Sequence, residues 1–397
     1  MVSTGLRECA TAAVLVGAVG ATFLALFPTT GDPLPELEVI TFGLPLRAST
    51  KVMVLLSGWP DNHAIWKHLV AAFGGQYHLV SVATPDYDAV QGGVGDGSSG
   101  LRRAWGYTLE QVPAMIAAAV VAHLRPVQLG GGSDGRGAVR VDALVAHDLG
   151  ALWAYALVAG SQLGAPELDP SPGGQLPPRL RVDKLVAIDV GSSASSDPAV
   201  ATLGLPTGAA WCIPYQFMLA TAFALGNIEA GLRRACSRVL PGPQATIEPQ
   251  GASQGALQGA SQGAARDAWR CPVTEWIYAQ AWKTAPVIGP MGENFAWEAH
   301  APRPQREVRW WMGYPYFYIW YGHVLRLALP PAPLFPAGVP TLFAFGTQKR
   351  AMFHTDAFCD RLKATPGCRV VSYDAGHWVM CESPTAFNAD VRAFLES

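Results

Sequence analysis

Residues 141–150 read Val-Asp-Ala-Leu-Val-Ala-His-Asp-Leu-Gly and contain the most informative motif of the sequence. Its first part, residues 141–146, is mostly apolar, which is typical of a strand buried on both faces of a parallel sheet. Helix-forming residues follow over 150–158. Because a small residue stands two positions before Asp148 and another two positions after it, the chain can turn sharply from strand to helix. We expect that turn to present Asp148 at the carboxyl edge of the sheet.

Asp148 occupies the position at which such a strand–turn–helix carries a catalytic nucleophile. A carboxylate in that place can attack an electrophilic carbon and form an ester with the substrate. Aspartate is also a common N-cap of helices, so this motif alone favours the catalytic and the structural interpretations equally.

A second motif, near the C-terminus, favours the catalytic interpretation. Residues 374–378 read Asp-Ala-Gly-His-Trp and directly follow a predicted strand at 368–373. A histidine after the last strand, downstream of the nucleophile, matches the chain order nucleophile, acid, histidine of a catalytic triad. His377 is therefore the candidate base.

Strands and helices alternate along most of the chain, which indicates an α/β fold with a mostly parallel central sheet. Between 191 and 336 the alternation stops, and the Trp-, Tyr- and Ala-rich sequence has helical periodicity. We expect a helical cap domain there, with a low-complexity insert at 241–264, between core parts at 36–190 and 337–397. The predicted strands are 51–57, 77–83, 141–146, 184–188, 340–345 and 368–373.

The composition argues against several classes of protein. Lys and Arg number 28 and Asp and Glu 30, so a net charge of −2 leaves no basic excess for nucleic acid. Seven cysteines contain no CxxC pair, which disfavours a zinc site or a disulfide scaffold. Charged residues make up only 15% of the 397 residues. We therefore expect a globular protein with loop insertions, the low-complexity runs being 91–100, 130–137 and 250–264.

The N-terminal region contains an uncharged run at residues 9–27. As a helix, such a run spans the ~30 Å hydrocarbon core of a bilayer. A cleaved signal peptide and a buried helix are the alternatives, although the run exceeds the ~7–15 apolar residues of a signal sequence. We expect residues 1–35 to be a membrane anchor and linker, and the protein to be membrane-associated or in the secretory pathway.

Three segments together resemble a known family. Residues 57–61 (Ser-Gly-Trp-Pro-Asp), the His-Asp-Leu-Gly that contains Asp148, and the Gly-His-Trp around His377 are similar to motifs of α/β-hydrolases related to epoxide hydrolases and haloalkane dehalogenases. The usual forms there are His-Gly-(Trp/Phe)-Pro and Gly-His-Asp-Trp-Gly. The resemblance covers residues 51–395. It implies an α/β-hydrolase fold with an inserted cap and an Asp nucleophile, with neither a metal nor a cofactor.

Three positions depart from the family pattern. Ser57 replaces the usual His, and Ala146 replaces a Gly at the turn. Leu149 replaces the Trp whose indole N–H helps dehalogenases to hold halide, so dehalogenation becomes the second choice of reaction. By position, the backbone N–H groups of Trp59 and Leu149 are expected to form an oxyanion hole.

The acid that orients His377 is absent from the place where the family usually carries it. Residues 346–350 read Gly-Thr-Gln-Lys-Arg, without a carboxylate and with two cations that would repel an imidazolium. Asp356 comes next but is expected to begin a helix, and Asp374 is a further alternative although it stands close to His377 in sequence. We predict that Asp189, which ends the strand at 184–188, lies within direct or one-water reach of His377. The alternative is that Asp189 caps a helix or binds loop backbone.

The end of the predicted cap is dense in aromatic residues. Opening an epoxide creates an alkoxide, which needs a proton donor on the wall opposite the nucleophile. The family uses cap tyrosines for this purpose, and Tyr314, Tyr316 and Tyr318 are the candidates. Packing between cap helices is the alternative role for each of them.

The leading hypothesis from sequence is a two-step hydrolase. Asp148 forms an ester with a lipophilic small molecule, and His377, oriented by Asp189, activates the water that cleaves the ester. The apolar cap suggests the lipophilic substrate. The alternatives are a haloalkane dehalogenase-like hydrolase and a catalytically silent binding protein of the same fold, the latter suggested by Ser57 and by the missing acid at 346–350.

Overall fold

The structure is a computed structural model that describes most of the predicted core and part of the predicted cap. The predicted anchor and the three low-complexity runs lie outside the described residues. The described residues are 34–87, 105–129, 138–162, 180–191, 209–239, 272–284, 308–321 and 338–397.

The described strands form one large and one small sheet. They are β1 (Val39–Gly43), β2 (Val52–Leu56), β3 (His78–Val82), β4 (Val139–Val141), β5 (Ala143–His147), β6 (Leu180–Val182), β7 (Leu185–Ile188), β8 (Thr341–Gly346) and β9 (Arg369–Tyr373). The large sheet has seven strands in the order β1-β3-β2-β5-β7-β8-β9. In it β1 runs antiparallel to β3, whereas the other neighbouring strands pair in parallel. Strands β4 and β6 form a separate parallel pair.

Burial explains which strands the sequence reveals. Every residue of β2, β3, β5 and β7 is buried, as expected for inner parallel strands with helices on both faces. Their continuous apolar runs predicted them to within two residues. Strand β1 lies at the sheet edge and is only partly buried, and β4 and β6 each carry a central exposed Arg. These three strands lack the apolar run and were missed.

Helices connect the strands and cover the sheet. Three of them, together with a short 3₁₀ turn at Trp310–Gly313, lie between β7 and β8 and pack on one another, so the described part of the predicted cap is helical. The predicted α/β-hydrolase fold with an inserted helical cap is confirmed. The helices are α1 (Lys67–Phe73), α2 (Gln111–Gln128), α3 (Leu149–Gln162), α4 (Ala209–Val239), α5 (Pro272–Thr284), α6 (Tyr314–Tyr321), α7 (Asp356–Lys363), α8 (Val379–Glu382) and α9 (Pro384–Glu396).

The expectation of a membrane-spanning helix needs correction. No helix within the described ranges is both long and apolar enough to cross a bilayer. The segment on which that expectation depended, residues 9–27, lies outside the described residues.

The parallel arrangement determines where chemistry can occur. Because β2, β5, β7, β8 and β9 are parallel neighbours, the loops that follow them lie along one edge of the sheet. These loops carry the segment after β2, the turn with Asp148, Asp189, the segment after β8, and His377. Residues separated by more than two hundred positions thus meet at one site.

Candidate active site

Asp148 stands at the turn between β5 and α3, in the strained backbone conformation that such a turn requires. Its φ is 54°, in the left-handed region that Asp tolerates better than most residues. The turn packs tightly against the end of β2. A Cβ added to Gly150 would lie 2.4 Å from the Leu56 carbonyl oxygen, and one added to Gly58 would lie 2.4 Å from the Leu149 nitrogen. Glycine at both positions therefore allows the two loops to approach each other.

The carboxylate of Asp148 lies in the predicted oxyanion hole. The backbone N–H of Trp59 donates to Oδ2 of Asp148 at 2.8 Å, and the N–H of Leu149 also donates to the carboxylate. One donor thus comes from the loop after β2 and the other from the first residue of α3. Because Trp59 is remote from α3 in sequence, the carboxylate does more than cap that helix.

The other oxygen of Asp148 is directed towards His377. Oδ1 lies 3.7 Å from Nε2 of His377, which is longer than a hydrogen bond. Burial raises the pKa of Asp148, and this effect outweighs the opposing influence of His377 and the two amides. The carboxylate is thus poorly solvated, which favours its reaction as a nucleophile.

Asp189 lies against His377, within the direct reach predicted from sequence. Its Oδ2 is 2.5 Å from Nδ1 of His377, and both side chains are buried. Burial lowers the pKa of His377, but the carboxylates of Asp189 and Asp148 raise it by a larger amount, so the net shift of this pKa is upward. Burial raises the pKa of Asp189, but Lys349 and His377 reverse that effect and hold it below its usual range. Asp356 instead begins α7, where its side chain is exposed.

Lys349 is part of this cluster, in an ion pair that the sequence does not predict. The expected repulsion is present, because the charge of Lys349 lowers the pKa of His377. The same ammonium group also pairs with the acid: its Nζ lies 2.5 Å from Oδ1 of Asp189 and 2.7 Å from the carbonyl oxygen of Gly346. The Lys349 side chain is buried. A lysine in a polar loop gives no sequence signal of burial, so only the fold reveals this ion pair.

Hydrogen bonds of two further buried side chains, His147 and Trp378, hold the loops around His377 together. His147 Nε2–H donates to the carbonyl oxygen of His377 at 3.0 Å, and the indole N–H of Trp378 donates to Oδ2 of Asp61 at 2.8 Å. Burial lowers the pKa of His147 well below its ordinary value, so this ring is neutral. These contacts fix the histidine loop to the turn and to the loop after β2.

The three candidate tyrosines of the cap differ in their contacts. The hydroxyl of Tyr314 donates to the Pro85 carbonyl at 3.3 Å, and that of Tyr318 donates to the Trp105 carbonyl at 3.1 Å. Both groups are thus engaged with the backbone of residues that precede α2. Their roles are those of packing and attachment.

Tyr316 is the candidate that interacts electrostatically with Asp148. Its ring packs edge-on to Trp59 with centroids 5.5 Å apart. Burial is the main cause of its strongly raised pKa, followed by Tyr215 and the charge of Asp148. Its hydroxyl is hydrogen-bonded to Tyr215, a buried residue of α4 that the sequence analysis missed because no motif surrounds it.

The sequence matches no protein-family model and no curated protein. Among solved structures, an esterase from a marine microorganism is 13% identical, with 90% of this chain and 99% of that chain covered and a TM-score of 0.42. The enol-lactonase of Burkholderia xenovorans LB400 is 14% identical, with 91% and 96% covered and a TM-score of 0.39. The epoxide hydrolase of Bacillus megaterium is 15% identical, with 91% and 97% covered and a TM-score of 0.40. At these values the similarities say nothing about the reaction.

Replacing Asp148 by asparagine is expected to stabilise the protein. Because the folded-state pKa of Asp148 is raised, ionisation of its carboxyl group costs stability as the pH rises above ~4. Asparagine keeps the shape, tolerates the positive φ and can still accept hydrogen bonds from the two amides. Asp148→Asn should therefore increase the free energy of unfolding at about pH 7 and much less near pH 3.

Urea unfolding across this pH range measures the effect. Asp356→Asn is the matched control, because that carboxylate is exposed at the start of α7 and its loss should bring no gain. A gain for Asp148→Asn that is absent near neutral pH, or equal at both pH values, would contradict the electrostatic description of the site.

Proposed function

We propose that the protein is a hydrolase of the epoxide hydrolase type, which converts a lipophilic epoxide to a diol through an ester on Asp148. The observation that carries this proposal is the setting of the Asp148 carboxylate. Two backbone amides donate to the Asp148 carboxylate, and its Oδ1 is directed towards Nε2 of His377. The charge of Asp148 also contributes to the raised pKa of Tyr316. A nucleophile, a base and a proton donor therefore converge on one point.

The first step is ring opening. Oδ1 of Asp148 attacks an epoxide carbon, the bond from that carbon to the epoxide oxygen breaks, and the oxygen takes the proton of the Tyr316 hydroxyl. The raised pKa keeps Tyr316 protonated until an alkoxide forms. Tyr215, bonded to Tyr316, supplies a second hydroxyl from which the charge on the phenolate oxygen can be stabilised.

The second step is hydrolysis of the ester. With its Nδ1–H donated to Asp189, neutral His377 has a lone pair on Nε2 that can accept a proton from water. The water oxygen adds to Cγ of Asp148, and the negative charge that forms on Oδ2 is stabilised by the N–H groups of Trp59 and Leu149. When the ester bond breaks, the leaving alkoxide takes a proton from His377. The second proton of the water, now on the carboxyl group of Asp148, returns to the Tyr316 phenolate.

Aromatic side chains around these groups support a lipophilic substrate. Trp59 and Tyr215 both pack edge-on to Tyr316, and Phe353 packs edge-on to His377 with centroids 5.5 Å apart. Apolar and aromatic walls with a few convergent polar groups are typical of small-molecule sites.

A trapped intermediate tests the proposal. His377→Gln removes the base for the second step and leaves the nucleophile intact, so the ester should accumulate on Asp148. The variant is incubated with styrene oxide, a small lipophilic epoxide, and its intact mass is measured. The expected increase equals the mass of the whole epoxide, and peptide mapping should assign it to Asp148.

The same experiment separates the competing functions. An alkyl bromide would add only its alkyl group and release bromide, which identifies a dehalogenase. Asp148→Asn combined with His377→Gln is the control and should give no adduct. If several terminal and internal epoxides leave the mass of folded His377→Gln unchanged, the proposed chemistry is wrong.

A pair of matched variants tests the proton donor. Tyr316→Phe should slow formation of the ester by about 10²-fold or more, because the alkoxide loses its general acid. Tyr318→Phe removes the same hydroxyl two residues further along α6, on a different side of the helix, and should leave that rate unchanged. It should instead cost about 1 kcal/mol of stability, since the buried Trp105 carbonyl loses a donor. Stopped-flow measurement of ester formation and urea unfolding distinguish the two; equal rate effects would contradict the assignment.

A further inference from the structure

Lys349 is a buried cation that the two chemical steps do not use. It is 3% exposed, and its Nζ contacts Oδ1 of Asp189 at 2.5 Å and the Gly346 carbonyl oxygen at 2.7 Å. His377 bonds the other oxygen of the same carboxylate. Asp189 is therefore held between a histidine and a lysine, with each of its oxygens engaged by a different cationic or potentially cationic group.

The charges of the cluster explain what Lys349 changes. With both carboxylates ionised and His377 neutral, Asp148 and Asp189 contribute two negative charges and Lys349 one positive charge. Protonation of His377 then cancels the single net negative charge of the cluster. Without Lys349 the cluster would have two net negative charges before protonation, and both would attract the proton. Once Asp148 is esterified, Asp189 and Lys349 balance each other and the Tyr316 phenolate keeps one negative charge, so a proton on His377 is attracted by one net negative charge rather than by the two that would remain without Lys349. Lys349 disfavours that proton in both states.

We propose that Lys349 is a positioning residue that fixes the Asp189 carboxylate against His377 and offsets its charge, so that His377 remains an unprotonated base at a lower pH than the two carboxylates alone would allow. The use of that base in ester hydrolysis rests on the proposed function. The effect of Lys349 on protonation of His377 does not, and it can be measured without turnover.

The other groups around His377 cannot substitute for this cation. Burial lowers the pKa of His147 well below its ordinary value and that of His354 to about 4, so both rings are neutral under ordinary conditions. Before the ring opens, Tyr316 keeps its proton because burial raises its pKa, and its later loss leaves an anion rather than a cation. Within the described part of the chain, the titratable and charged groups that face His377 or its carboxylate partners are Asp148 and His147 at the β5–α3 turn, Asp189 after β7, Lys349 and His354 after β8, Asp61 after β2, and Tyr316 on α6.

Histidine NMR titration tests the proposal directly. The full chain is labelled with carbon-13 at the imidazole Cε1, the His377 signal is assigned by its absence in His377→Gln, and its titration midpoint is measured. Lys349→Met, which keeps the length of the side chain without its charge, should raise the midpoint by about one pH unit. Lys363→Met is the control: it removes an exposed lysine that pairs with Asp360, and it should leave the midpoint unchanged.

A second comparison keeps the test decisive if Lys349→Met does not fold. Asp189→Asn leaves Lys349 beside His377 without a counter-charge and should lower the midpoint. Asp189→Asn combined with Lys349→Met removes both buried charges and should raise it again, and the double variant should have a higher Tm than Asp189→Asn alone. Equal midpoints with and without Lys349, in either background, would overturn the proposal even if the ester on Asp148 is detected. If activity is found, the acidic limb of its pH profile should move upward in Lys349→Met by the same amount.

Discussion

The hydrogen bond between His377 and Asp189 is the interaction on which the site depends. It joins the loop after β9 to the end of β7, two strands that are separated in the sheet by β8. The close approach requires the glycine that ends β8: a Cβ on Gly346 would lie 1.9 Å from the carbonyl oxygen of Gly376. The left-handed backbone of Asp189, with φ of 70°, turns the carboxylate towards the histidine. The strained backbone of Asp189 and the absence of a side chain at Gly346 thus both allow the hydrogen bond between His377 and Asp189.

Because this contact is buried, the charges around it affect the stability of the protein. An ionised carboxylate without a partner is costly to bury, and the cluster contains two buried carboxylates, Asp148 and Asp189. Asp189 is compensated by His377 and Lys349, whereas Asp148 has two backbone amides and remains the less stabilised of the two. The opposite pKa shifts of the carboxyl groups follow from this difference. In the proposed mechanism these shifts distinguish the nucleophile, Asp148, from Asp189, the ionised carboxylate that orients the base.

The sequence predicts those features that local patterns encode. The apolar runs predict the inner strands, small residues around Asp148 predict the turn, and strand order brings Asp189 and His377 to the same edge. The partly buried β1 and the short β4 and β6 have no such pattern. Tyr215 and Lys349 also give no local signal, because their roles arise from contacts with residues far away in the chain. The sequence indicates that a lysine in the loop after β8 would repel a protonated His377, but only the fold shows that Asp189 lies between the two groups and pairs with both.

In the proposed mechanism, the oxygen that the substrate gains comes from the carboxyl group of Asp148, which then takes up an oxygen from water. The most direct measurement is turnover of a lipophilic epoxide in water labelled with oxygen-18, followed by mass spectrometry of the peptide that contains Asp148. Attack of water on Cγ predicts that the label enters this carboxyl group, and that a single turnover gives diol whose new oxygen comes from the protein. Diol that takes its label directly from water in the first turnover, with Asp148 unlabelled, would contradict the account.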